Sequence, residues 1–465
     1  MELREPLPYQ VDAIEYCLNT QHPALLMEMR LGKTLVAIRS LRARLSNRSI
    51  ILVVAPLTVL SAWERELNFE GEIFHKAFGM SSPRKMEVFR AVRGHKIPAR
   101  IWALTNYETL RSCMEIATWD WDAVILDEST KIKTPGAQIS QVCAAGFRKV
   151  THRYILTGLI APENPLEMFS QFKFLSGWFM GCGNIYQFRS KFFKQSTDPW
   201  NPGWLPKPRS LEYIHEAMHS TAFVLRRKDV NVGSKKQYET RSIKLTAAQL
   251  SEYDKVEKHF EVENMELTTS YILVLETWLG RMAGGWYPND IECGLEGEQF
   301  HDTKANEIVD LLTGELAGEQ AVVWFRFNKE LDDVAARLRS KGVHVGTIQG
   351  SVSILKRGEE VNRFRAGSTR IICCQIACGK FGLDFSTAGV AIYYSNAYSC
   401  EARAQSEDRI IHPTDKAPKL IIDMVTRGTI DEKVVEMLQD KKRNSQYFMS
   451  NLKKYIDTLK DKVRS

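Results

Sequence analysis

The stretch Ala24-Leu25-Leu26-Met27-Glu28-Met29-Arg30-Leu31-Gly32-Lys33-Thr34 decides how the rest of the chain is read. A short apolar run bounded by a turn reads as a buried strand, and the residues after Thr34 open a helix-like stretch. A Gly-Lys-Thr turn between strand and helix is the context in which a loop can hold phosphate. Backbone N–H groups at the helix start face the anion, Lys33 adds a point charge, and the Thr34 hydroxyl can ligate Mg²⁺. A complete G-x-x-x-x-G-K-T pattern has glycine where this chain has Met27. Taken alone, the stretch therefore also fits an ordinary strand–turn–helix.

The other half of such a site is a strand that ends in an acid, and Val124-Ile125-Leu126-Asp127-Glu128 supplies it. Asp127 at the strand tip can hold Mg²⁺ through water, and Glu128 can polarise an attacking water. An acidic pair at a strand end is also a common helix cap. The two motifs together, in this order and on predicted strands expected to be adjacent, point to nucleotide hydrolysis.

Outward from these motifs, short apolar runs recur, each followed by a helical pattern. They fall at residues 24–27, 50–55, 101–105, 123–126 and 154–157, and again at 321–325, 343–348, 370–374, 390–395 and 420–424. Continuous apolar strands alternating with helices predict parallel sheets covered on both faces. Two such series predict two tandem parallel-sheet lobes of α/β class, over residues 1–160 and 304–434. Residues 161–303 are rich in Phe, Trp and Tyr and read as helical insertions plus a connector. Within them Trp178, Phe179, Tyr186 and Phe188 fit either a packed core or base-stacking faces, and core is the commoner outcome. Residues 435–465 read as a basic helical tail that meets either solvent or phosphates.

Composition bounds the function without choosing it. The longest apolar runs are too short to span a bilayer, and the first residues lack the build of a secretory signal. A cytoplasmic setting is expected by default: host cytoplasm for a viral protein, nucleus for a eukaryotic one. The net charge of +7 permits a nucleic-acid partner but does not announce one. The nine cysteines show no repeated C-x-x-C pairing. Cys373, Cys374 and Cys378 lack the four convergent ligands of a structural zinc site, so buried reduced thiols are expected.

With these residues in place, the chain resembles superfamily 2 helicases, and within them the Snf2-like DNA translocases of compact phage or bacterial type. Leu7-Pro8-Tyr9-Gln10 resembles the element whose glutamine reads adenine, and residues 27–34 resemble the phosphate loop. Val54-Ala55-Pro56-Leu57 with Trp63 and Glu66 resembles a strand and loop that touch the nucleic-acid backbone, and Thr105-Asn106-Tyr107-Glu108-Thr109-Leu110 resembles the next motif. Asp127-Glu128-Ser129-Thr130 with Lys131-Ile132-Lys133 is similar to the acidic motif, and Leu156-Thr157-Gly158 to the one that couples hydrolysis to lobe movement. Leu225-Arg226-Arg227-Lys228, then Lys244-Leu245-Thr246 and Tyr253, resembles the Snf2-like entry to the connector. In the second lobe the resemblance lies in Val323-Trp324-Phe325, Ile348-Gln349-Gly350-Ser351, Gly379-Lys380-Phe381-Gly382-Leu383-Asp384-Phe385 and Gln405-Ser406-Glu407-Asp408-Arg409.

The resemblance implies RecA-like lobes and an ATP-dependent motor that translocates on, remodels or unwinds DNA. It implies catalytic roles for Lys33, Asp127, Glu128 and the arginine finger Arg409, and ATP contacts for Gln10, Gly32, Lys33, Thr34, Gly382 and Asp384. Mg²⁺ falls to Thr34 and Asp127, and the nucleic acid to Pro56, Asn106, Tyr107 and Gly379. Double-stranded or branched DNA is the expected track, with replication, recombination or repair proteins as partners of a monomer that meets no membrane.

Four departures bear on turnover. Arg30 replaces a glycine of the phosphate loop, and Thr130 replaces the histidine that follows the acidic pair. Leu159-Ile160 replace Thr-Pro, and His412 replaces the second arginine of the finger motif. A histidine cannot reproduce the bidentate guanidinium fork. These departures motivate the alternative of an ATP-binding DNA clamp with weak turnover; an RNA helicase is a further alternative, disfavoured by the Snf2-like Arg226-Arg227-Lys228 entry to the connector.

Overall fold

The computed structural model describes residues 4–94, 99–196, 203–263, 269–287, 298–380, 383–412 and 414–448. They divide into two compact units, one of Met1–Val232 with Lys441–Ser465 and the other of Gly233–Asp440.

The first unit is built on β1 (Ala24–Met27), β2 (Ile50–Val54), β3 (Ile73–Lys76), β4 (Ile101–Thr105), β5 (Ala123–Asp127) and β6 (His152–Thr157). A hairpin of β7 (Phe193–Gln195) and β8 (Trp204–Pro206) follows, then β9 (Ala222–Leu225). The sheet order is β3-β4-β2-β5-β6-β1-β9, and its pairings are parallel. The apolar strands are buried on both faces, as parallel sheets require. Leu26, Leu52 and Leu126 pack into one core with Phe169, Phe172 and Phe188. Leu25, Ile51 and Ile125 pack into another with Val36, Ala37 and Trp63. The latter three lie on α2 (Lys33–Arg44) and α3 (Leu57–Phe69), while α1 (Pro8–Asn19) adds Ala13 and Cys17.

The second unit holds β10 (Lys236–Ile243), β11 (Ala321–Phe325), β12 (Val345–Ile348), β13 (Ile371–Gln375), β14 (Val390–Tyr393) and β15 (Lys419–Thr426). Its order is β10-β15-β14-β11-β13-β12, again parallel. Val323 and Phe325 face one core, Val322 and Trp324 the other. The expected pair of parallel-sheet α/β units is present.

The middle stretch differs from the expectation of helices and connector alone. It contributes β9 to the first sheet and β10 to the second. Both are edge strands, as is β3, and an edge strand is recruited by backbone pairing rather than by burial of both faces. Lys236-Gln237-Tyr238-Glu239-Thr240-Arg241-Ser242-Ile243 accordingly carries no apolar run. Of the middle aromatics, Phe179 and Phe188 are core, whereas Trp178 and Tyr186 are exposed. Cys373, Cys374 and Cys378 are free and buried. No helix among the described residues is long and apolar enough to cross a membrane.

Candidate active site

Open parallel sheets bind ligands beyond the carboxyl ends of their strands, and the first unit gathers its motifs there. The phosphate loop leaves β1 and the acidic pair ends β5, but the strands are not neighbours: β6 lies between them and ends in Thr157. The expected adjacency is thereby corrected, and the Leu156-Thr157-Gly158 motif sits between the other two. A Cβ built on Gly158 meets Met29 Cγ and Met29 N at 3.4 Å, so this glycine backs directly onto the phosphate loop.

Within that loop Arg30 (φ 67°) and Gly32 (φ 81°) are both left-handed. A non-glycine residue pays about 1–2 kcal/mol for this conformation, which is the cost of an arginine where a glycine fits freely. α2 begins at Lys33 with no side-chain cap, so its leading N–H groups suit an anion. Lys33 Nζ donates to the carbonyls of Met27 (2.7 Å) and Glu28 (3.3 Å), the floor of the same loop. Thr34 is half-buried one residue further along. The uncapped amides and the Lys33 charge are of the kind that suits the phosphates of a nucleoside triphosphate.

Gln10 packs over the loop. Its Nε2 donates to Leu31 O (3.2 Å), and its Oε1 accepts from Leu7 N (2.9 Å).

Asp127 is buried and held from three sides. Oδ2 accepts from Trp63 Nε1 (2.8 Å), Oδ1 accepts from Glu128 N (2.9 Å), and the backbone carbonyl accepts from Tyr107 Oη (2.8 Å). Burial pushes its carboxyl above the ordinary range, opposed by the Trp63 hydrogen bond and the charge of Lys33. Glu128 is left-handed (φ 50°) and half-buried.

Two residues of the sequence motifs turn inward here. Tyr107, expected at the nucleic acid, is a core residue whose hydroxyl supports Asp127. Trp63, read with the backbone-touching motif, is fully buried against the acidic strand. Pro56 and Asn106 stay half-buried just beyond the carboxyl ends of β2 and β4, and Asn106 Nδ2 donates to Glu108. Glu28 accepts from Arg227 N (2.9 Å), so the Arg-Arg-Lys run is seated beside the phosphate loop.

In the second unit Arg409 lies in the 3₁₀ turn Asp408–Ile410, and its carbonyl accepts from Phe385 N (3.1 Å). The finger candidate and the glycine-rich motif are thus joined through the backbone. Lys236 Nζ clamps the preceding acids, Glu407 at 2.9 Å and Asp408 at 2.8 Å. Asp384 Oδ1 accepts from Ser386 N (3.2 Å). Gly379 lies in the 3₁₀ turn Ile376–Lys380, and Gly382 lies outside the described residues. His412 is exposed, with its Nδ1 at 2.9 Å from Thr414 Oγ1.

Known proteins share this organisation. The SNF2-related domain matches residues 9–280, and the helicase conserved C-terminal domain matches residues 303–413. The TATA-binding protein-associated factor mot1 of Aspergillus fumigatus is 23% identical over 502 residues, covering 92% of this chain and 26% of that protein. The chromodomain-helicase-DNA-binding protein 1-like of Danio rerio is 23% identical over 453 residues, covering 91% and 42%. Protein p41 of Acyrthosiphon pisum secondary endosymbiont phage 1 is 23% identical over 495 residues, covering 98% and 100%. The chain spans less than half the length of the first two and the whole of the third.

Proposed function

The chain belongs to the SNF2-related domain family, and from that premise we propose that it is an ATP-driven motor that translocates on, remodels or unwinds DNA. The carrying observation is the meeting of the uncapped start of α2, Lys33 and the Asp127–Glu128 pair around the end of β6. In this assignment Lys33 and the α2 amides hold the phosphates, and Thr34 and Asp127 hold Mg²⁺. Glu128 orients the attacking water, and Arg409 is the finger that stabilises the transferred phosphoryl group. Held by Thr34 and Asp127, Mg²⁺ would supply positive charge to offset the charge that develops on the phosphates.

Duplex DNA is the proposed track, supported by the family and by the DNA-binding description of the Danio rerio relative. Contacts to phosphates dominate such binding, so it tolerates any sequence and weakens with salt. Pro56, Asn106 and Gly379 are the proposed contacts.

One observation favours the alternative of an ATP-binding clamp: the His412 ring faces Thr414, in place of a second arginine fork. The discriminating experiment is steady-state ATP hydrolysis with Mg²⁺, alone and with double-stranded, single-stranded or forked DNA, or RNA. Stimulation by duplex DNA that vanishes in Lys33→Ala supports the motor. ATP binding without stimulated turnover on any track leaves the clamp, and stimulation by RNA alone replaces the track.

A further inference from the structure

Thr130 stands where a histidine would link the acidic pair to the loop after β6, yet the two are joined by another route. Ser129 Oγ donates to Gln171 Oε1 at 2.6 Å, and Gln171 Nε2 donates to Ile160 O at 2.7 Å and to Glu167 O at 2.9 Å. Ser129 directly follows Glu128, and Ile160 lies two residues beyond Gly158. Gln171, on the helix Met168–Ser176, is fully buried, as is Ser129.

We propose that Gln171 is a positioning residue for hydrolysis, holding Glu128 in register with the loop after β6 in place of the missing histidine. The inference rests on the nucleotide-hydrolysing role proposed above. A buried primary amide is suited to the task because one end accepts while the other donates twice, so the side chain is fixed in a single orientation. Its bonds form part of a chain of contacts. The chain runs from Glu128 through Ser129 and Gln171 to Ile160, and on through Gly158 to Met29 of the phosphate loop.

A parallel strut reinforces it. Lys133 Nζ pairs with Glu167 Oε1 at 2.9 Å, and Glu167 Oε2 accepts from Glu163 N at 3.2 Å. Both routes leave the segment after Asp127 and reach the segment after Gly158, so the two segments are tied by side chains as well as by the sheet. A fully buried amide with three hydrogen bonds and no apolar duty is costly unless its bonds matter.

The test compares Gln171→Met, close in volume but without the amide, with Gln171→His, which keeps one donor and one acceptor. Each is measured beside the wild type for melting temperature, KM for ATP, and kcat with and without duplex DNA. Gln171→Met is expected to stay folded, keep KM within a few-fold and lose roughly ten- to a hundredfold in kcat, the scale of a misplaced catalytic group. Gln171→His is expected to recover part of that loss.

A folded Gln171→Met protein with wild-type kcat overturns the inference while leaving the motor intact. A loss in both variants that follows the folded fraction, with kcat per folded molecule unchanged, also overturns it in favour of a purely structural role. If the wild type itself does not turn over ATP, the proposed function fails first, and this inference falls with it.

Discussion

Trp63 Nε1 and Asp127 Oδ2 are joined by a 2.8 Å hydrogen bond between two buried side chains. An indole N–H can only donate, so the bond favours the ionised carboxylate, the form that holds a metal. It works with the charge of Lys33 against the upward push of burial.

Trp63→Phe keeps a ring in the core and removes the donor. The Asp127 carboxyl then rises further, and because its proposed role in hydrolysis needs the carboxylate, the acidic limb of the pH–rate profile is expected to move to higher pH. A hydrogen bond to a charged group contributes about 1.5–3 kcal/mol, which corresponds to a shift of about one to two pH units in that limb. An unmoved acidic limb would refute this role for Trp63.

Gly32→Ala meets two obstacles, a backbone at φ 81° and a Cβ placed 2.3 Å from Gln10 Nε2. The left-handed conformation costs about 1–2 kcal/mol, and Gln10 must leave the loop. Melting temperature is expected to fall modestly, while the stabilisation expected from added ATP in the wild type is expected to disappear. An undiminished nucleotide-induced shift would show that the loop tolerates a side chain.

Glu330 makes the second unit sensitive to pH. Burial pushes its carboxyl up to about 7, against Ser395 and Lys304, which lower it. A folded-state value raised above the unfolded one stabilises the fold at low pH, and the gain is lost as pH rises through about 7. The span from an ordinary carboxyl corresponds to about 3 kcal/mol at most. Unfolding measured from mildly acidic to mildly alkaline pH should show that loss, and Glu330→Gln should flatten it. An equally steep profile in the variant would place the titration elsewhere.

Arg403 fixes the helix that leads to Arg409. Its guanidinium pairs with Glu407 at 2.9 Å and with Asp423, and lies 3.4 Å from the centroid of the Tyr393 ring. Arg403→Ala takes the ion-pair partner from buried Asp423, while Glu407 keeps Lys236, a change expected to cost about 3–5 kcal/mol. Arg403→Lys keeps the charge without the fork and should fall between. Chemical denaturation gives the order, and equal stability of all three proteins would exclude the pairing as a support.

The two parallel sheets were legible because they are local, and the proposed phosphate loop and acidic pair were read from local motifs in the same way. A strand buried on both faces writes itself as an apolar run, and a phosphate loop needs glycine, lysine and threonine side by side. The order of motifs along the chain carried the rest of the family resemblance.

Only the tertiary structure decided how those motifs touch. The sequence reading set Tyr107 against the nucleic acid, and nothing local tells that it and Trp63 each direct their one side-chain polar atom at Asp127. Nothing near Gln171 in sequence distinguishes it from an exposed helical glutamine; its partners lie on other segments, brought together by β5 and β6 pairing. The polar edge strand β10 was likewise invisible, since its place depends on the backbone of β15 rather than on its own side chains. Patterns of burial are properties of one segment, whereas a buried hydrogen bond belongs to two, and the second is chosen by the fold.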